Sequence, residues 1–160
     1  MKLKKTIIGL IILAAAVSSN AQVNTEDSFG LGLIVGEPTG FSFKYWQNKE
    51  IAIDGALAWS FVGNDGFQIH TDYLIHDYKM NNSDQWPFYY GLGALLEFED
   101  DEGRKHDGHT VFGFRVPIGM SYFFEDKEPY EFFIELVPVL ELAPDVDVSL
   151  NAAVGLRFYF

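Results

Sequence analysis

The chain has 160 residues, which fits one domain, and 48% of them are hydrophobic. Its formal net charge of −12 argues against nucleic acid as a partner, because such binding depends on Lys and Arg that neutralise phosphates. The absence of cysteine excludes a disulfide framework and thiolate chemistry. Phenylalanine and glycine are both abundant, at 15 residues each, which indicates strands that need bulk on one face and room on the other.

The N-terminus has the pattern of a secretory signal peptide. Three lysines precede an apolar run from Ile7 to Val17, which is shorter than the about 20 residues that a spanning helix needs. Small residues then lead to a cleavage point after Ala21. We therefore predict that residues 1–21 are removed and that residues 22–160 form a single domain. An uncleaved anchor is the alternative, and the short apolar run argues against it.

Beyond this segment, apolar residues alternate with small or polar ones along eight predicted strands. Pro38 and Gly40 mark the first turn, and Gly63-Asn64-Asp65-Gly66 is a strong hairpin signal after the third strand. The last strand holds its period of two from Val146 to Phe160, whereas about 9–11 residues suffice for a tilted strand to cross a bilayer. In chain order, the strands begin near Ser28, Phe41, Ile51, Phe67, Phe88, Val111, Tyr130 and Val146.

Eight strands joined by short turns, with no helical pattern among them, predict an all-β fold, an eight-stranded antiparallel up-and-down barrel. The interior of such a barrel is just wide enough for side chains to fill. The apolar face carries too many large side chains for that space, whereas the Gly, Ala, Ser and few charged residues of the other face fit it. We therefore predict a transmembrane barrel whose apolar face points outward into lipid. A soluble periplasmic carrier of the lipocalin type, with its apolar face inside, is an alternative.

Outward-facing aromatic residues cluster at the strand ends that lie near the two chain termini. Aromatic side chains favour the interfaces of a membrane, so we interpret this cluster as a girdle at one rim. Trp59 lies near the opposite rim. The predicted girdle comprises Tyr45, Phe88, Tyr90, Tyr122, Phe124, Tyr130, Phe132, Phe158 and Phe160.

The mature chain as a whole resembles the small eight-stranded outer-membrane barrels of Gram-negative bacteria, the OmpA-transmembrane and OmpX kind. The resemblance rests on the strand pattern and on the last six residues, in which Phe158 and Phe160 look like the terminal signal that the barrel-assembly machinery recognises. The segment from Gly36 to Trp46, together with Ala143-Pro144, is similar to a bacterial barrel family known only as a domain of unknown function.

This resemblance implies export to the outer membrane with a cleaved signal peptide. It implies membrane lipid and the assembly machinery as partners, and a structural or interaction role. It implies no enzymatic activity and no cofactor, and it names no extracellular partner.

Charged residues recur at positions that face inward. Buried charges are tolerable only when they are paired and hydrogen-bonded, so we predict a salt-bridged plug without an open pore. A gate or a proton path is the alternative. The inward charged positions, with one histidine, are Lys44, Asp54, His70, Asp72, Glu97, Arg115, Glu131, Glu135, Glu141 and Arg157. The neighbours expected from the turns are Lys44 with Asp54, Glu131 with Arg157, and Arg115 with Glu135 or Glu141.

The loop from Glu99 to His109 is the most charged, and it contains His106, Asp107 and His109. Two histidines among carboxylates could bind a divalent cation. An acidic loop that is merely solvated is the simpler interpretation, and we predict no metal site.

Pro117 and Pro138 lie in the middle of neighbouring predicted strands, where proline removes a ladder hydrogen bond. We predict a β-bulge that adjusts the curvature at this seam. The alternative is a lateral opening to lipid, similar to that of an outer-membrane palmitoyltransferase, which would favour a lipid-modifying enzyme. No Ser-His-Asp grouping at matching positions supports acyl transfer, so we do not expect an enzyme.

Overall fold

The computed structural model describes residues 28–60, 66–99, 109–124 and 129–160, so the predicted signal peptide lies outside the described residues. None of the described residues forms a helix that is long and apolar enough to cross a membrane. The strands are β1 (Phe29–Gly36), β2 (Thr39–Trp46), β3 (Ile51–Ser60), β4 (Gly66–Asp77), β5 (Phe88–Glu99), β6 (His109–Arg115), β7 (Ile118–Phe123), β8 (Tyr130–Ala143) and β9 (Asp147–Tyr159).

The strands close into one antiparallel ring. Strands adjacent in the chain pair with each other, except β6 and β7, and the last strand, β9, pairs with β1. Strands β6 and β7 lie end to end between β5 and β8, so the nine strands fill eight positions around the ring. The predicted eight-stranded up-and-down barrel is confirmed, with one predicted strand divided at Val116 and Pro117.

The two faces of the barrel wall have the predicted environments. Large apolar side chains cover the outside, and Phe41 and Leu92 are 59% and 60% exposed. Lys44, Arg115 and Glu131 point inward and are fully buried. The prediction of an outward apolar face is confirmed. The soluble carrier required the opposite arrangement, which the described residues do not have.

Large rings fill the interior together with the charged residues. Tyr89, Phe133 and Tyr159 are buried, and each ring lies against a glycine of a neighbouring strand. A Cβ atom at Gly155 would collide with the ring of Phe133, and one at Gly119 would collide with Tyr89. Glycines on neighbouring strands therefore provide the space that these rings occupy.

The proline seam keeps a continuous register, contrary to the predicted bulge. Gly91 donates its N–H to the carbonyl of Pro117, and Val116 donates to that of Pro138, both at 2.9 Å. Proline has no N–H, so the two reciprocal bonds cannot form. The register shift lies instead between Phe112 and Gly113, farther along the wall. The prediction of a bulge at the prolines is therefore wrong.

Aromatic rings form a chain of contacts around part of the rim at which β1 begins and β9 ends. Most of them belong to the predicted girdle, and Trp86, in the segment between β4 and β5, extends it. At the opposite rim, Trp59 contacts Phe67 with 5.2 Å between ring centroids. The contacts along the girdle are Trp86–Tyr122 at 4.4 Å, Tyr122–Phe124 at 4.9 Å, Phe124–Tyr130 at 6.5 Å, Tyr130–Phe158 at 5.3 Å and Phe158–Phe160 at 5.0 Å.

An ion-paired lumen as the candidate functional site

Lys44 projects from β2 into the lumen, where it is fully buried. It lies directly opposite Asp54 in the strand register, as the sequence predicted. Its ammonium group, however, donates to Glu131 Oε1 at 2.7 Å and lies 3.0 Å from His76 Nε2. It also lies 4.5 Å from the ring centroid of Trp46. The cation is therefore paired across the lumen rather than along the wall.

Arg157 of β9 bridges two carboxylates. Its Nη2 lies 2.8 Å from Asp54 Oδ2, and its Nη1 lies 3.3 Å from Glu131 Oε2. The Nε group donates to Ser42 Oγ at 2.9 Å. The guanidinium group lies 3.8 Å from the centroid of the Phe133 ring, a favourable cation–π distance. These contacts fix the side chain on several sides.

Glu131 is the centre of this network. Besides Lys44 and Arg157, its carboxylate accepts hydrogen bonds from Ser121 Oγ at 2.5 Å and from the Tyr159 hydroxyl. A buried carboxylate that accepts several donors loses little on leaving water, because its lone pairs are satisfied. Glu131 therefore joins β2, β7, β8 and β9.

Arg115 forms a second group nearer the middle of the barrel. Its Nε lies 3.0 Å from Asp72 Oδ1, and its Nη2 lies 3.6 Å from Glu135 Oε1. Tyr89 donates its hydroxyl hydrogen to Glu135 Oε2 at 3.1 Å. Within the described part of the chain, the guanidinium nitrogens make ion pairs but no well-aligned hydrogen bond. The contacts of Arg115 are thus longer and less well aligned than those of Glu131.

His70 is buried in the lumen beside Gln68, and the two remaining predicted carboxylates lie toward the opposite rim. Glu97 is half-buried and lies across from Gln68 in the register. Glu141 accepts a hydrogen bond from Ser149 Oγ at 3.0 Å, and Arg115 contacts Glu135 rather than Glu141. A cluster of buried apolar side chains also lines the lumen, formed by Leu95, Val111, Val137 and Val139.

The sequence did not predict which residues meet across the lumen. Residue parity placed Lys44 and Glu131 on the inner face, but counting from turns finds partners only on adjacent strands. Strands β2 and β8 are separated by β1 and β9. His76, Tyr89 and Tyr159 were also on the inward parity, and that parity was the available signal for them.

The lumen holds nearly balanced charge. Three basic residues, Lys44, Arg115 and Arg157, face the four acidic residues Asp54, Asp72, Glu131 and Glu135, and all seven are buried. Each of the seven belongs to at least one of the ion pairs above. The ion pairs offset most of the charge within the barrel, although Asp54 Oδ1, Asp72 Oδ1 and the Arg115 nitrogens have no hydrogen-bond partner among the described residues.

The described residues contain no group of three or more His, Cys, Asp and Glu that could hold a metal ion. His106 and Asp107 lie outside the described residues, and His109 is the first residue of β6. Phe158 and Phe160 lie at the rim of the termini, in ring contact with each other.

Comparison with solved structures identifies the fold of this closed barrel. The N-terminal β-barrel domain of Pseudomonas aeruginosa OprF superposes with a TM-score of 0.70 at 13% identity, over 84% of this chain and 98% of that domain. The fold is that of a small outer-membrane β-barrel. The outer-membrane protein Ail of Yersinia pestis also matches, with a TM-score of 0.41 at 16% identity, over 83% of this chain and 97% of that one.

No family model and no curated protein matches the chain. The similarity to outer-membrane barrels is therefore one of fold. At so low a sequence identity, no residue role can be transferred from those barrels to this one. The roles of the lumen residues are therefore inferred from their own contacts.

Proposed function

We propose that the protein is inserted in the outer membrane of a Gram-negative bacterium as a closed barrel with a structural or interaction role. The observation that carries this proposal is the inverted wall: apolar side chains outside and ion pairs inside. Water does not tolerate so continuous an apolar exterior, whereas lipid does. The closed ring also satisfies backbone groups that hydrocarbon would leave unpaired.

The filled lumen supports the absence of an open pore. Buried rings and the Glu131 network occupy the centre of the ring, and separating the members of the network would leave buried charges unpaired. The lumen side chains therefore act as a plug. They also connect strands that are not paired with each other in the sheet.

The route to the membrane is part of the same proposal. Residues 1–21 direct export and are cleaved, and Phe158 and Phe160 at the C-terminus serve as the signal for the barrel-assembly machinery. The aromatic girdle then lies at the periplasmic interface with both termini, and the turn before β9 lies outside the cell.

Membrane fractionation tests the proposal. The protein expressed with its leader in a Gram-negative host is expected in the outer-membrane fraction, and its unboiled form is expected to migrate differently from the boiled form on a gel. Recovery in the periplasm without detergent would contradict the proposal. Planar-bilayer recordings are expected to show no steady open channel for the wild-type barrel.

A further inference from the structure

Asp54 of β3 and Asp72 of β4 lie directly opposite each other in the wall of the barrel. Both side chains point into the lumen, and the two residues are only 3% and 2% exposed. Opposite residues of an antiparallel pair bring their Cβ atoms to about 4.5–5.5 Å, and like charges at such positions repel each other. Two carboxylates therefore share one small region of the lumen, where bulk water does not screen their repulsion.

Each aspartate has one cation beside it. Arg157 Nη2 lies 2.8 Å from Asp54 Oδ2, and Arg115 Nε lies 3.0 Å from Asp72 Oδ1. Neither pairing is complete, because Asp54 Oδ1, Asp72 Oδ1 and the Arg115 nitrogens have no hydrogen-bond partner among the described residues. Asp54 Oδ1 is thus a buried acceptor that lacks a donor, which is an unfavourable state for a carboxylate oxygen.

The other charged groups near the pair are engaged elsewhere. Lys44 of β2 lies opposite Asp54 in the register, but its ammonium group donates to a carboxylate across the lumen. Glu135 Oε1 lies 3.6 Å from Arg115 Nη2, so this guanidinium group is shared between Glu135 and Asp72. The titratable groups that face the pair are Lys44 on β2, His70 on β4, Tyr89 on β5, Arg115 on β6, Glu135 on β8 and Arg157 on β9.

The buried groups carry one negative charge too many if all of them are ionised. Three buried bases provide three positive charges, and four buried acids provide four negative charges, so the described lumen has a net charge of −1. An uncompensated charge is costly where no water solvates it. One additional proton makes the lumen neutral. The groups counted are Lys44, Arg115 and Arg157 against Asp54, Asp72, Glu131 and Glu135.

The two buried histidines of the described chain do not hold this proton. The ammonium group of Lys44 can only donate, and it lies 3.0 Å from His76 Nε2, so that nitrogen accepts and carries no hydrogen. His76 Nδ1 then donates to the carbonyl of Glu50 at 3.3 Å. His70 Nδ1 lies 3.4 Å from the amide nitrogen of Gln68, which is likewise a donor. Both rings are therefore neutral, and the proton belongs on a carboxyl group.

Among the four acids, the Asp54–Asp72 pair is the place for the proton. Glu131 accepts four hydrogen bonds, two of them from cations, and Glu135 accepts one from a tyrosine hydroxyl, so both are held as carboxylates. Asp54 accepts an aligned hydrogen bond from Arg157. Asp72 Oδ1 accepts none from the described residues, so the proton resides mainly on Asp72.

We infer that Asp54 and Asp72 hold one proton between them in the closed lumen. This proton removes the excess charge and supplies the donor that Asp54 Oδ1 lacks. It also ends the repulsion between two carboxylates that face each other, and the two acids titrate as one unit. The barrel therefore takes up one proton when it folds, and it loses stability as the pH rises. The inference does not depend on the membrane location, because the acids are buried in the lumen in any surroundings.

The pH dependence of unfolding tests this inference, with urea titration of the full-length barrel in detergent micelles. An unfolded aspartate releases its proton at about pH 4, so from about pH 5 to about pH 7 the folded state holds one proton more than the unfolded state. The stabilisation is present at low pH and is lost as the pH rises. The unfolding equilibrium constant of the wild type is expected to rise about tenfold per pH unit relative to that of Asp72→Asn.

The same variants are compared at pH 7. Asp72→Asn replaces a protonated acid with a neutral group of similar shape that can donate to Asp54 Oδ1. Its unfolding equilibrium constant is expected to stay within about fivefold of the wild-type value. The control is Glu131→Gln, which removes a carboxylate that is charged, and for which a rise of about a hundredfold or more is expected.

Infrared spectroscopy of the wild type does not depend on the folding of any variant. With carbon-13 in its aspartates, the barrel is expected to show the C=O stretch of a protonated aspartic acid at pH 7, and Asp72→Asn is expected to lack it. The absence of that band from the wild type would overturn the inference. Equal pH slopes for the wild type and Asp72→Asn, or a loss in Asp72→Asn as large as that in Glu131→Gln, would also overturn it.

A bound metal cation is the other way to supply one positive charge. A wild-type stability at pH 7 that rises with sodium chloride, but not with choline chloride at the same ionic strength, would assign the charge to sodium and overturn the inference. Equal effects of the two salts, together with the infrared band, support the shared proton. None of these results affects fractionation or gel migration, which test the membrane location separately.

Discussion

Lys44 and Glu131 lie on strands that are not paired in the sheet, and Lys44 Nζ lies 2.7 Å from Glu131 Oε1 across the lumen. Arg157 reaches the same carboxylate from a third strand. Inter-strand hydrogen bonds hold neighbours together around a ring, but they do not link opposite walls. The carboxylate of Glu131 does so, and its loss is therefore the most informative change in the lumen.

Replacing Glu131 with Gln leaves Lys44 and Arg157 without their shared anion in a buried site. We expect the free energy of unfolding to fall by about 3–5 kcal/mol, the loss typical of removing one partner of a buried pair. Urea titration of the barrel in detergent micelles measures it. The matched control is Glu141→Gln, a half-buried rim carboxylate that bonds to Ser149, for which we expect a loss below about 1 kcal/mol. Equal losses in the two variants would exclude Glu131 as the centre of the network.

Replacing Arg115 with Met removes the cation between Asp72 and Glu135. The two carboxylates then lack compensation, so we expect a lower thermal midpoint or a higher ion conductance as water enters. Thermal melting of the barrel and planar-bilayer recordings measure the two effects. Arg115→Lys keeps the charge and is expected to lie between Arg115→Met and the wild type. If both properties of Arg115→Met equal those of the wild type, Arg115 does not help to plug the lumen.

Placing a charge on the outer wall distinguishes lipid from water as the surroundings. Leu92 lies outward in the middle of β5, and Val146 lies outward at the rim. In lipid, Leu92→Arg is expected to cost about 2–4 kcal/mol and Val146→Arg about 0–1 kcal/mol. Reversible unfolding from lipid vesicles provides the measurement. Similar small costs at both positions would indicate that the middle of the wall is not in hydrocarbon.

Adding a methyl group at Gly30 tests the packing of the lumen. A Cβ atom there would lie 2.7 Å from Cε1 of the buried Tyr159 ring, which is held by its bond to Glu131. We expect Gly30→Ala to lower the free energy of unfolding by about 1–3 kcal/mol. The control is Gly66→Ala, whose Cβ would lie 2.9 Å from the Glu97 carboxylate and 3.1 Å from the Phe98 carbonyl oxygen, with an expected loss below about 1 kcal/mol because a carboxylate at the end of a side chain can shift more than a packed ring. Urea titration compares them, and a neutral Gly30→Ala would show that the ring is free to shift.

Much of the barrel was predictable because a strand alternates strictly between its two faces. The period of two from Val146 to Phe160 placed apolar residues outside and Arg157 inside without any knowledge of its neighbours. Counting from tight turns also gave the register of adjacent strands, as in Lys44 opposite Asp54. Both inferences depend only on local geometry.

The contacts across the lumen were not predictable in this way. Whether Lys44 bonds to Asp54 beside it or to Glu131 opposite depends on the diameter of the ring and on where Trp46 and Tyr159 lie. The position of the bulge depended likewise on how β6 and β8 accommodate curvature, which put it at Phe112 and Gly113 rather than at the prolines.

The amino-acid sequence by itself determined the closed all-β wall, its outward apolar face and the set of residues that face inward. Only the tertiary structure decided which charges meet and where the ladder between β1 and β9 stops. Periodicity along a strand is a property of consecutive residues, whereas a partner across the lumen or an unmatched strand end is a property of the whole ring. For this reason the faces of each strand could be predicted from the sequence, whereas the contacts across the lumen required the structure.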